Sequence, residues 1–534
     1  MGSIDVKELA YAHPGGAELF EDVSFKIGNG DHTAIVGANG VGKTTLLRLI
    51  AGEISPLKGS VRVDGRLGVM PQSIGSLGGE LTVHHLLAEC SPPEVRAASL
   101  ELEAASEANE ANPSDETGIR LGEAYGQWGD VDGYTHEAFW DDCCTRVLRQ
   151  PYPTASRRLV RELSGGEQKR LALEVLLASN ADVLLLDEPD NFLDIKGKRW
   201  MEAQLNSSNK TILMVSHDRE LLVHAARKIV TIEADGAWVH GGSFAKYHEA
   251  HEARNERLGN ALERWQQEER RLFQHYRWMK QIAGSGGSSS KANAAETQWK
   301  KFVDAGPPPA PPKKQNVRIR FDAAESGRGV LNVKALELVG LTETFDFEAR
   351  LGERVAVLGP NGAGKSHFLR LLAGDDNVLA DGVYAFGQGV VVGYFSQTSE
   401  KPEFQGREIV EIVMDHGLNH QHAMAALARY ELAYSATQEF QTLSGGQKAR
   451  VQILLLELNG ANLLLLDEPT DNLDLASAEA LQTALDEFDG TVLAVTHDRW
   501  FMKHFDRFLV FDYSGDVDEP RDFADALQRV TTKR

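Results

Sequence analysis

At 534 residues the chain is too long for one ordinary domain, and 42% hydrophobic with 25% charged residues is the balance of a globular protein, unlike a disordered or fibrous one. The formal net charge of −22 opposes general binding to nucleic acid, so any such contact has to be local, which screening over about 8 Å at physiological salt permits. No apolar run is long enough to cross a bilayer, and the N-terminus MGSIDVKELAYAHPGG lacks the charged segment and apolar core of a secretory signal; the expected location is the cytoplasm.

The first motif follows an apolar strand, Thr33 to Val36. It reads Gly37-Ala-Asn39-Gly40-Val-Gly42-Lys43-Thr44 and opens a helical pattern from Leu46 to Ile50. In that context it is a phosphate-binding loop. The glycines let backbone amides converge on a phosphate at a helix N-terminus, Lys43 reaches the β- and γ-phosphates, and the Thr44 hydroxyl suits magnesium. Gln72 follows where a side-chain amide can sense magnesium and an attacking water. The stretch from about 94 to 142 is rich in Glu, Asp and Ala, with Arg96 and Arg120 its only lysine or arginine residues. It reads as a solvated helical face, with an interaction arm as the alternative. Cys90, Cys143 and Cys144 lack zinc-ligand spacing, the adjacent pair cannot readily bridge, and all three are expected to be reduced.

Leu163-Ser164-Gly165-Gly166-Glu167 comes next, and two short apolar strands then end in polar chemistry. Val183-Leu-Leu-Leu-Asp187 has the pattern of a buried parallel strand that delivers a carboxylate to the sheet's C-terminal edge, with Asp187 for magnesium and Glu188 to orient or deprotonate water. Ile212 to Ser216 leads to His217, a candidate for the γ-phosphate.

From Ser243 to about Ile282, Leu258, Leu262, Trp265, Leu272, Tyr276 and Met279 follow a three-four spacing, with Glu269 out of pattern. This predicts a helix of about 60 Å carrying a coiled-coil seam. Gly284 to Ser290 breaks it. Ala292, Ala295, Trp299 and Phe302 then resume the spacing on a helix of about 22 Å, and the proline run ending at Pro312 returns the chain as stiff polyproline. The expectation is a projecting antiparallel hairpin with a mobile glycine-serine tip. It carries Arg270, Arg271, Arg277, Lys280, Lys291, Lys300 and Lys301, with Glu296 the only acid between Arg270 and Lys301. Trp278, off the seam, is the candidate for stacking on bases. A basic tip on an acidic protein suits RNA, although basic side chains also commonly decorate coiled coils.

The second half repeats the first. Gly359-Pro-Asn361-Gly362-Ala-Gly364-Lys365-Ser366 lies 322 residues after the first loop and Gln397 lies 325 after Gln72. Leu443-Ser444-Gly445-Gly446-Gln447, Asp467-Glu468-Pro469 and His497-Asp498 each lie 280 after their counterparts, so 45 extra residues fall in the first half between Gln72 and Leu163. The expected units are residues 1–242, a linker over 243–316, and residues 317–534.

The LSGGE and LSGGQ turns, with the two phosphate loops and the Asp-Glu-Pro strands, are the hallmark of ATP-binding cassette proteins, which this chain resembles over nearly its whole length. Tandem cassettes without a membrane domain, a helical linker, Val215-Ser-His-Asp-Arg219, Val495-Thr-His-Asp-Arg499 and Val317-Arg-Ile-Arg-Phe321 resemble the ABC-F family, above all its actinobacterial antibiotic-resistance members. The resemblance implies an α/β fold of two P-loop NTPase cassettes joined by a helical hairpin, hydrolysing ATP with Mg2+. It also implies shared sites, in which Lys43, Thr44, Gln72, Asp187, Glu188 and His217 work with Ser444, Gly445 and Gly446. Lys365, Ser366, Gln397, Asp467, Glu468 and His497 likewise work with Ser164, Gly165 and Gly166. The implied protein is a monomer that closes on itself with ATP and binds the ribosome, its hairpin reaching large-subunit rRNA and peptidyl-tRNA. Some family members protect ribosomes from macrolides or related antibiotics. The alternative is the ATP-binding subunit of a membrane drug transporter with a separate permease.

Some positions depart from the family pattern. The first half reads DEPDNFLD, with Asp190 and Phe192, and the second DEPTDNLD, with Asp471, which bears on communication between the halves. His367 replaces the second small hydroxyl, present as Thr45 in the first loop, that assists the α-phosphate. Tyr11 is placed to stack on adenine at the first site, and no aromatic residue matches it upstream of the second loop.

Overall fold

The computed structural model describes residues 2–531 other than 14, 15, 17, 71–73, 75–80, 234, 235, 286, 287, 313–316, 322, 324–326 and 397–400. In each half the continuous apolar runs become central strands, buried at every position because both faces of their sheet are covered. The first half orders its six strands Leu67–Val69, Val183–Asp187, Thr211–Val215, His32–Val36, Lys228–Glu233 and Gly236–His240, all pairs but the last parallel. The second half repeats the order with Val392–Phe395, Leu463–Asp467, Thr491–Val495, Arg354–Leu358, Arg507–Phe511 and Val517–Asp518. Parallel register sets Asp187 beside Val215 and Asp467 beside Val495, so the motifs that follow these strands emerge at one edge of each sheet. A smaller antiparallel sheet of three strands accompanies each: Glu18–Ile27, Ser3–Ala12 and Lys58–Asp64 in one half, Phe345–Arg350, Gly329–Leu338 and Ala380–Phe386 in the other.

The insertion is helical with its acids on a solvated face, as expected, and it buries its other face as well. Pro93–Ala111, Asp115–Asp130 and Gly133–Leu148 are three helices whose Trp128, Trp140, Cys143 and Cys144 are buried in the core of the first half. The acids occupy the outer surface, while Trp128 Nε1 donates to Glu137 and Trp140 Nε1 to Ser91 Oγ, so neither indole N–H is stranded. All three cysteines are free and buried, and burial pushes the Cys143 thiol up to about 11 and the Cys144 thiol up to about 12.

The linker begins with one 3-10 turn, Phe244–Lys246, capped by Ser243, and only then enters its long helix, Tyr247–Gly284. That start is later than the expected Ser243, because Ser243 caps the 3-10 turn through Ala245 N. An aromatic stack roots the helix in the first half. Phe244 stacks on Tyr247 at 5.3 Å and Tyr247 on His251 at 5.5 Å, and the Tyr247 hydroxyl meets Thr231 Oγ1 at 3.0 Å. Arg254 grips Glu233 with two hydrogen bonds of 2.6 and 3.0 Å.

The second linker helix, Ser289–Asp304, packs antiparallel, with Trp265 on Phe302 at 5.3 Å and Tyr276 on Trp299 at 5.8 Å. Glu269, out of pattern in sequence, accepts a 3.0 Å hydrogen bond from Trp299 Nε1 and so answers a polar group inside the seam. The glycine-serine tip falls partly on 286 and 287, outside the described residues.

The halves meet face to face. Arg499 pairs with the buried Glu202, Arg219 stands 3.5 Å from Asp498, and Lys503 stands 2.6 Å from Glu220. Ile195 lies in the core of the second half, and its counterpart Leu475 packs against the core of the first. Among the described residues no helix is long and apolar enough to cross a membrane.

Candidate active sites

Each phosphate-loop motif runs from a buried strand into a helix. Gly42 and Gly364 precede Lys43–Ile50 and Lys365–Leu372 with φ near 97°, a left-handed turn that glycine adopts without steric penalty. The turn lets backbone amides and the helix N-terminus face one space. Lys43 Nζ donates to the carbonyls of Gly37 and Ala38 at 2.9 and 3.1 Å. Lys365 Nζ donates to those of Gly359 and Pro360 at 2.9 and 2.7 Å. An ammonium held only by carbonyls can exchange them for phosphate oxygens at little cost.

Beside each loop stands a strand-ending acid. Ser366 Oγ donates to Asp467 Oδ1 at 3.0 Å, and Asp187, next to Thr44, keeps one buried oxygen without a partner among the described residues. Burial raises both carboxyls, Asp467 to about 6. A hydroxyl beside a carboxylate with an unmet oxygen is a donor set that fits a hard divalent cation such as Mg2+. Among the described residues no cluster of three or more His, Cys, Asp or Glu can hold a metal alone, so phosphate and water would complete such a shell.

Glu188 and Glu468 both sit in the left-handed region, at φ 45° and 50°. Each is held there by its N–H donating at 2.9 Å to the end of the neighbouring strand, at Val215 and Val495. That strain, sustained by the sheet, turns each side chain out of the strand line. The carboxylates then part company. Glu188 accepts 2.7 Å from the Asn191 amide, whereas Glu468 accepts 3.0 Å from the His497 backbone N–H and lies 3.5 Å from its imidazole. His497 Nε2 also meets Asn361 Oδ1 at 3.1 Å, while both ring nitrogens of His217 are buried without a partner among the described residues. Burial, with Asp471 and Asp467 nearby, pushes Glu468 up to about 8. Glu188 is raised too, and burial draws His217 down to about 3 and His497 well below its ordinary range.

The structure brings each lysine loop against the SGG turn of the opposite half. Asn361 Nδ2 donates to Phe192 O at 2.8 Å; Asn39 Nδ2 donates to Asn472 O at 2.8 Å and Asn39 N to Asp474 Oδ2 at 2.9 Å. The approach is tightest at Gly446, where a Cβ would lie 2.0 Å from Asn39 Nδ2; on Gly166 it would lie 3.3 Å from Asn361 Nδ2. Ser164 and Ser444 cap the helices Gly165–Ala178 and Gly445–Leu458 in capping boxes with Glu167 and Gln447, which brings the positive ends of two helix dipoles to the gap. A cavity of about 310 Å³ opens between Ser164, Gly165 and Gly166 on one side and Lys365, Ser366, His367, Glu468 and His497 on the other.

The remaining candidates are less gathered. Tyr11 lies next to the end of its strand, its ring edge-to-face with His13 at 5.4 Å, and Thr45 stands on the first-loop helix. Gln72 and Gln397 lie outside the described residues. On the hairpin, Arg270, Arg271, Arg277, Lys280, Lys291, Lys300 and Lys301 are all exposed, and Trp278 is 56% exposed. Part of that charge is answered locally, since Arg271 pairs with Glu268 at 2.7 Å and Lys300 with Glu296 at 2.8 Å. Sequence reasoning missed two buried lysines. Lys169 Nζ donates to Glu188 O at 2.9 Å, and Lys198 lines the cavity beside Lys365. The signal was there, because at the 280-residue offset both stand opposite alanines, Ala449 and Ala478.

The family described as ABC transporter matches residues 20–191 and 342–471. An antibiotic resistance protein of Mycobacteroides abscessus is 46% identical, over 97% of this chain and 99% of its own. A tylosin resistance ATP-binding protein of Streptomyces fradiae is 32% identical over 91% of this chain and 93% of its own. ABC transporter F family member 2 of Arabidopsis thaliana is 28% identical over 94% of this chain and 76% of its own. Among solved structures, an archaeal ribosome recycling factor in complex with a ribosomal stalk protein shares the fold, with a TM-score of 0.58 and 18% identity over 94% of this chain and 87% of that one.

Proposed function

Because the chain belongs to the ATP-binding cassette family, in its tandem-cassette ABC-F branch, we propose that this ATPase acts on the ribosome, clasping two nucleotides between its halves and releasing them by hydrolysis. Lys43 and Lys365 hold the β- and γ-phosphates, while Ser164, Gly165 and Gly166, or Ser444, Gly445 and Gly446, grip the γ-phosphate from across the gap. Thr44 with Asp187, and Ser366 with Asp467, hold Mg2+, which supplies charge neutralisation on the phosphates. Glu188 and Glu468 orient the attacking water and take its proton, and His217 and His497, kept neutral by burial, steady the γ-phosphate. The observation that carries this reading is reciprocal: Asn39 and Asn361, one in each lysine loop, both bond to the turn behind the opposite SGG motif.

The hairpin is the part that meets RNA. Its exposed arginines and lysines and the exposed Trp278 suit large-subunit rRNA and peptidyl-tRNA, on a body whose net charge of −22 repels nucleic acid elsewhere. The protein works as a cytoplasmic monomer whose cassettes pair within the chain. Since two relatives carry antibiotic or tylosin resistance in their names, its service to the ribosome is protection from macrolide-class drugs.

The test is the Glu188→Gln, Glu468→Gln double variant. It should bind ATP without turning it over, sediment with ribosomes when ATP is present, and inhibit translation in an extract. Sedimentation with membranes and not ribosomes would instead favour a transporter subunit with a separate permease.

A further inference from the structure

At the 280-residue offset Lys198 stands opposite Ala478, Asp190 opposite Thr470, and Asp471 opposite Asn191. These three departures from internal symmetry converge on one place, since Asp190, Lys198 and Asp471 all line the cavity of the Lys365 site. Lys198 and Asp190 come from the first half, Asp471 from the second. The lysine is held by its ammonium: Nζ lies 2.9 Å from Asp218 Oδ2, with the two side chains 8% and 2% exposed, and Asp218 itself caps the helix Arg219–Ala225 through Leu221 N. Its field reaches Asp190 in its own half and Asp471, Glu468 and His497 in the other.

The Lys43 site draws its cation from its own half instead, since Lys169 Nζ donates to Glu188 O at 2.9 Å. There Asn191, a neutral amide in the same half, bonds Glu188 at 2.7 Å, and the lysine's counterpart is Ala478. Asp471 cannot donate that bond, and it sets a second carboxylate on the loop that carries Glu468. Two acids confined together repel unless a cation stands between them or one stays protonated. The only lysine among the residues lining this cavity, other than Lys365 of the phosphate loop, is Lys198.

Building on the assignment of Glu188 and Glu468 above, we propose that Lys198 is a positioning residue delivered by the first half to the Lys365 site, where it counters Asp471 and Asp190 and so fixes the loop that carries Glu468. Hydrolysis at that site then needs a cation lent by the opposite half, whereas its twin has Lys169 within its own half.

The experiment uses the full chain in two backgrounds. Glu188→Gln leaves only the Lys365 site turning over and Glu468→Gln only the Lys43 site. Adding Lys198→Ala should lower ATP turnover about tenfold in the first background, and by at least fivefold more than in the second. Adding Asp190→Thr and Asp471→Asn to Lys198→Ala installs each residue's counterpart from the other half and should restore most of the loss, which a mere packing role would not. Lys198→Met, with a similar stem and no charge, serves where the alanine variant melts early. Equal losses in both backgrounds, or no recovery in the triple variant, would overturn the lysine's role while leaving the two sites as assigned. Undiminished turnover in the two glutamine backgrounds would overturn the assignment and the lysine's role together.

Discussion

At the Lys43 site the glutamate leans on an amide three residues away, while at the Lys365 site the same position is a carboxylate and the glutamate turns to the histidine strand instead. Exchanging an amide for an acid removes a donor and adds a charge, and the surroundings differ accordingly. Among the described residues His217 has no partner for either ring nitrogen, whereas His497 sits between Glu468 and Asn361. Two pockets built from the same motifs can thus differ in chemistry through residues that lie between the motifs. The lesson is that symmetry of signature does not imply symmetry of mechanism.

The sharpest probe of that difference is removal of the glutamates one at a time. Each of Glu188→Gln and Glu468→Gln should cost about 100-fold or more at its own site. The activity left in Glu188→Gln should rise more steeply with pH toward about 8, as phosphate release across a pH series will report, since burial and neighbouring acids hold Glu468 protonated to about 8. Superimposable profiles would erase the distinction. A smaller effect separates the two clasps. Gly446→Ala would displace the Asn39 amide, 2.0 Å from the new Cβ, and break its bond to Asn472, whereas Gly166→Ala leaves Asn361 Nδ2 at 3.3 Å. ATP affinity should fall about tenfold for the former, the worth of roughly one hydrogen bond, and less for the latter.

The smallest effect is on stability. Asp471 is raised by burial from an ordinary 3.8 to about 6. Between those values the folded chain keeps a proton that the unfolded chain has released, so its stability falls as pH rises through the window and stays lower above it. Asp471→Asn removes that penalty. In nucleotide-free protein its melting temperature should exceed the parent's by about 2 °C above pH 6 and match it below about pH 4. The same gain at every pH would show that packing, not charge, is responsible.

Much of this was legible in the sequence because the chemistry is local. A lysine loop, an acid ending an apolar strand and a serine-glycine turn each declare themselves within a few residues, and the change in repeat offset locates the insertion. What escaped depends on distance along the chain. Asn39 finds Asn472, Asn361 finds Phe192, Ile195 enters the core of the other half, and Arg499 finds Glu202. No periodicity predicts such partners. The buried face of the insertion escaped for a different reason: its many acids mask the few residues that matter for burial, Trp128, Trp140 and the vicinal cysteines. Glu269 is out of pattern in the seam because its partner, Trp299, lies 30 residues away.

The aromatic stack at the root of the long linker helix carries a mechanical consequence. Phe244 and Tyr247 belong to the core of the first half, and Arg254 bolts the next turn to Glu233, so the shaft cannot swivel independently of that body. A 38-residue helix extends about 57 Å from its bearing. A tilt of about 10° of the first half would therefore sweep the far end through roughly 10 Å, turning ångström-scale travel at the nucleotides into a stroke as wide as a base pair.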